Sequence, residues 1–91
     1  MEISINDIER ILIKEDIEGF IESGAPEDEY SIEAKMLARA LLEINTLDFS
    51  EENILAVISA LWASSFNLSR EDIISRLPGL QRVTKNILLL V

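Results

Sequence analysis

Acidic side chains are the one plentiful chemical resource of this sequence. Seventeen Asp and Glu stand against eight Lys and Arg, a formal charge of −9 over 91 residues, and His and Cys are both absent. That composition removes Ser-His-Asp triads, thiol nucleophiles, disulfides and zinc sites of the usual ligand types. Carboxylates alone can still hold a hard cation, or work in pairs as general acid and base. Glu27, Asp28, Glu29 and Glu33 lie close together, with Glu15 and Asp16 upstream. The calcium-loop pattern of alternating acids around a glycine is missing. An acid pair for glycoside chemistry also needs a cleft, which so small a domain rarely provides. The acids therefore read as solubilising charge and helix-dipole partners, and no enzyme activity, catalytic residue, metal or cofactor is expected.

Recognition is the other use of such charge. Glu15, Asp16, Glu27, Asp28 and Glu29 gather around the first loop region and are the expected contacts for a protein partner with a basic surface. Residues 1–65 hold four bases against fifteen acids, a net −11, whereas residues 66–91 hold four bases against two acids, a net +2. The basic segment supports an alternative: a helix-turn-helix-like stretch at 69–90 presenting Gln81, Arg82, Lys85 and Asn86 to DNA. The acidic remainder would repel a phosphate backbone, so nucleic acid is the less expected partner.

Apolar residues decide what must be buried. Tyr30, Trp62 and Phe66 form an aromatic trio that suits a packing centre better than a ligand wall. The run Ile87-Leu88-Leu89-Leu90-Val91 cannot point all its side chains into one core from one helix. Either flanking helices of the same chain cover it, or Ile87, Leu88 and Leu90 form a self-association surface between two copies.

The elements that must position these groups read as helices throughout. Hydrophobic residues make up 48% and charged residues 27%, a globular balance for one domain spanning 1–91. Ser4 or Asn6 caps a first helix, whose apolar face switches sides between Ile8-Ile11-Leu12 and Ile17-Phe20-Ile21. The switch predicts a break near Lys14-Glu15-Asp16, and a second short helix ended by Gly24. Tyr30, Ala34, Leu37, Leu41 and Ile44 step by four, three, four and three along a helix from about Glu27 to Ile44. Ser50 opens a helix near 51–66 that is apolar on nearly every side, the expected centre of the bundle. Ser69 with Asp72 opens the last helical region, and Pro78 is expected to divide it into helices at about 70–77 and 79–89. The fold class is all-α, a bundle of four to six short helices.

The segment Gly24-Ala-Pro-Glu-Asp-Glu-Tyr30-Ser-Ile-Glu33-Ala34, followed by an amphipathic helix and Trp62-Ala-Ser-Ser-Phe66, resembles small bacterial all-helical proteins of unknown function. The resemblance spans about residues 15–70 and implies a small cytoplasmic helical domain, with no catalytic residues to carry over. Size and charge also suggest an analogy with immunity proteins that neutralise basic nuclease toxins. The acidic N-terminus lacks the basic start of a signal peptide, and no apolar run exceeds five residues, so neither export nor a membrane span is expected.

Overall fold

Three of the four helices begin where a serine hydroxyl can satisfy a free backbone N–H. The computed structural model describes residues 3–91, the side chain of Glu27 excepted. Helix α1 (Ile5–Glu15) follows Ser4, whose hydroxyl accepts from the Asp7 N–H at 3.4 Å. Helix α3 (Glu51–Phe66) follows Ser50, which accepts from Asn53 at 3.2 Å. Helix α4 (Arg70–Leu88) follows Ser69 in a reciprocal box, in which the Asp72 carboxylate takes the Ser69 N–H at 3.0 Å. Helix α2 (Ser31–Leu42) is entered from a 3-10 turn at Glu27–Tyr30, directly after Pro26. No strand occurs among the described residues, and the fold is the expected all-α bundle.

The main contacts run α1–α2, α2–α3, α3–α4 and α4–α1, closing a ring around one core. Tyr30, Ala34, Leu37 and Leu41 enter it from α2 and the turn before it, with Ile8 and Leu12 from α1. Ile54, Ile58 and Trp62 come from α3, and Leu80, Val83 and Ile87 from α4. The expected enclosure of α3 on all sides is not found. Ala56, Ala60 and Ser64 line an exposed edge, small enough that little apolar surface meets water.

Two boundaries differ from expectation for physical reasons. The break after Glu15 is present, but residues 17–24 form successive turns instead of a second helix. Asp16 takes a left-handed conformation at φ 46°, and its carboxylate accepts the N–H groups of Ile21 and Glu22 at 3.1 and 3.0 Å. Those bonds fold the chain back on itself where a helix would have carried it onward. Gly24, at φ 97°, ends the segment in the left-handed region as expected.

Pro78, by contrast, does not divide α4, which runs unbroken from Arg70 to Leu88. A mid-helix proline leaves the carbonyl four residues earlier without its donor. Here that residue is Ile74, and both Ile74 and Pro78 are exposed, so water can reach the orphaned group. Ile73, Leu80, Val83 and Ile87 keep one phase across the proline, and packing on both sides holds the helix together. No helix among the described residues is long and apolar enough to cross a membrane.

Candidate functional site

The acidic turn after α1 is the most heavily bonded place on the molecule, and the carboxylates of Glu15, Asp16 and Glu18 each have an internal partner. Glu18 reaches under the turn and accepts from three donors. Trp62 donates Nε1–H at 2.8 Å, and Arg76 approaches as a fork, Nε at 2.6 Å and Nη2 at 3.0 Å. One side chain thereby joins the turn to α3 and α4. Its own exposure is 8%, and that of Arg76 is 26%.

Burial works to raise the Glu18 carboxyl, but the bonds from Arg76 and Trp62 outweigh it, and the group titrates below the ordinary glutamate range. Arg76 is raised in return, chiefly by its bond to Glu18.

Asp16 is similarly occupied. The Tyr30 hydroxyl donates to its Oδ1 at 2.7 Å and accepts the Glu18 N–H at 3.2 Å. Burial opposes ionisation of Asp16, yet the Tyr30 hydroxyl and the turn's N–H groups lower it overall. Burial and the Asp16 carboxylate together push the Tyr30 phenol well above its usual range. Glu15 completes the set by accepting from Arg82 Nε at 2.7 Å, in an ion pair whose closest approach is Nη2 at 2.6 Å.

An aromatic ring of four lies beneath. Tyr30 neighbours Phe20 and Trp62 at centroid distances of 5.7 and 6.0 Å, and Phe66 closes the circuit at 5.8 Å from Phe20 and 5.0 Å from Trp62. Trp62 and Tyr30 are completely buried, as a packing centre requires. Sequence reasoning finds three members of this ring and gives Phe20 only as part of an apolar face.

These facts redistribute the expected site residues. Glu15 is ion-paired with Arg82, and the Asp16 carboxylate, which remains charged, is held by hydrogen bonds within its own turn and from Tyr30. Asp28 and Glu29 are exposed on the 3-10 turn, while the side chain of Glu27 lies outside the described residues. The helix-turn-helix reading of 69–90 fails, because one continuous helix occupies the place of the turn. Gln81, Arg82, Lys85 and Asn86 are exposed on it, but Arg82 is bound to Glu15. Of the expected self-association residues, Ile87 is wholly buried in the core of its own chain and cannot serve another. Leu88 is half-buried against that core, and Leu90 is exposed.

The arrangement can fix shape, but it is poorly suited to proton transfer. A carboxyl used as a general acid near neutrality needs its pKa raised, and Asp16 and Glu18 are both lowered. Glu33 alone among the described carboxylates is raised, first by burial and then by the nearby charge of Glu29. Three or more carboxylates placed to hold a metal ion do not occur among the described residues.

Sequence reasoning missed one exposed apolar anchor. Leu47, on the 3-10 turn Thr46–Asp48, is 92% exposed, and the exposed acids Glu43, Asp48, Glu51 and Glu52 lie within five residues of it in the sequence. The available signal is a lone leucine within the polar stretch Asn45-Thr46-Leu47-Asp48. No family model matches the chain, and no curated protein or solved structure matches it.

Proposed function

We propose that this chain is a non-catalytic protein-interaction module whose acidic surface meets a partner with a basic one. One observation carries the reading. Two of the four bases of the C-terminal third, Arg76 and Arg82, are tied to Glu18 and Glu15, while six acids stand exposed at Asp28, Glu29, Glu43, Asp48, Glu51 and Glu52. Leu47 supplies the apolar anchor that interfaces of this kind require at their centre, and its acidic neighbours supply a rim. A cytoplasmic location accords with this reading, and neutralisation of a basic toxin is one form it can take.

The test is capture of partners from the native host by the immobilised chain, read by mass spectrometry. A basic protein whose capture falls when Leu47→Asp is combined with Glu51→Lys and Glu52→Lys supports the assignment. Capture of nucleic acid, abolished by Gln81→Glu with Lys85→Glu and untouched by the Leu47 variant, overturns it. Both sets of positions are exposed, so neither variant should disturb the core.

A further inference from the structure

The outer face of α2 is spaced for a second helix. Ile32, Met36 and Arg39 recur by four and three along α2, with Glu29 three residues ahead on the 3-10 turn and Glu43 four residues on at the C-cap, and all five are exposed. That is the period of a helix–helix seam, although no helix of this chain covers it. Its middle is apolar, with Ile32 65% and Met36 44% exposed. Its flanks carry opposite charge, acidic at Glu29 and basic at Arg39. Neither flanking residue forms an ion pair with another described residue.

A sequence with acid at one end of an apolar pair and base at the other complements its own reversed copy. We propose that this face is a self-association surface on which a second copy of the chain packs antiparallel. Ile32 meets the partner's Met36, and Glu29 meets the partner's Arg39. A two-fold axis near residue 34 repeats each contact, giving four apolar side chains at the centre and an ion pair on either side. In this register every residue at the first seam position opposes one at the second, the layer pattern of antiparallel helix pairs. The opposed helix dipoles add to the fit.

The second copy is favoured over an unrelated partner by this symmetry. A foreign helix has no reason to place its acid and base ten residues apart in reverse order, whereas this chain does so by identity. The exposed tail residues Leu89, Leu90 and Val91 have no such complementary charges beside them. One helix pair is small for an interface, so the association is of the weak, concentration-dependent kind.

Sedimentation of the full chain over about 10–500 µM, a range suited to a weak interface, tests the proposal. The expected result is a shift from a 10.3 kDa species toward its dimer at the upper end. Met36→Asp should abolish it with helicity by circular dichroism unchanged. Glu29→Arg or Arg39→Glu alone should weaken association about tenfold or more, since each creates two like-charge contacts. Mixing these two single variants should restore it, because a chain with bases at both flanking positions then faces a chain with acids at both. A chain that stays monomeric throughout overturns the proposal. So does a dimer indifferent to the α2 variants, or one lost on Leu90→Asp alone.

Discussion

Truncating Glu18 removes one side chain and disconnects three elements at once. In Glu18→Ala the Trp62 Nε1–H loses its acceptor beneath the core, and Arg76 loses both arms of its fork. A stranded buried donor costs about 1–3 kcal/mol. The ion pair adds about 1 kcal/mol, well below the value for a fully buried pair, because the Arg76 head is partly exposed and can rehydrate. The total is about 2–4 kcal/mol, which for a domain of this size lowers Tm by about 10–25 °C. Urea unfolding followed by circular dichroism and by fluorescence of the single tryptophan measures the loss and senses the environment of Trp62 directly. Glu18→Gln keeps one acceptor and should recover about half of the loss. A cycle with Arg76→Ala isolates the pair, with an expected coupling of about 1 kcal/mol. A loss below about 0.5 kcal/mol for Glu18→Ala, with no coupling, would refute the assignment of the turn's anchorage to this carboxylate.

Other expectations follow from neighbouring contacts. Tyr30→Phe should cost about 1–2 kcal/mol in the same unfolding assay, because Asp16 and the Glu18 N–H both lose the hydroxyl. A Cβ on Gly79 would lie 3.0 Å from Ile17 Cγ1, so Gly79→Ala should be more favourable by about 1 kcal/mol in an Ile17→Ala background than in the native chain. Glu33, raised by burial, favours the folded state when protonated and penalises it as pH rises through its folded pKa. Glu33→Gln should therefore raise Tm at pH 7, with the gain shrinking on acidification. Asp16 and Glu18 are lowered, so their contribution is complete above the ordinary carboxylate range and disappears as pH falls through their folded values. Tm should accordingly fall on acidification in the native chain but less steeply in Glu18→Gln.

The parts of the fold visible in the sequence are those decided within a few residues. Ser4, Ser50 and Ser69 mark helix starts because a cap acts three residues away, and Tyr30 to Leu41 marks a buried stripe because period alone places it. The bonded turn was hidden because its partners are remote. Glu18 lies 44 residues from Trp62 and 58 from Arg76, and Glu15 lies 67 from Arg82. No local pattern says which of seventeen acids will find an arginine. Pro78 misleads for the opposite reason: a strong local signal is overridden by packing that only the assembled bundle supplies.

Closure of the helix ring has a consequence for how the chain comes together in time. The side chains of Glu15, Ile17 and Glu18 find their places against residues 62–82, far along the sequence. During synthesis, α1 and α2 emerge well before the helix that completes their outer wall. Until Arg76, Gly79 and Arg82 have left the ribosome, Ile17 has no backbone to rest on, and Glu15 and Glu18 remain in water as charges without arginines. The ring cannot close before the last helix is available, so the contacts of Glu15, Ile17 and Glu18 are gained together with it.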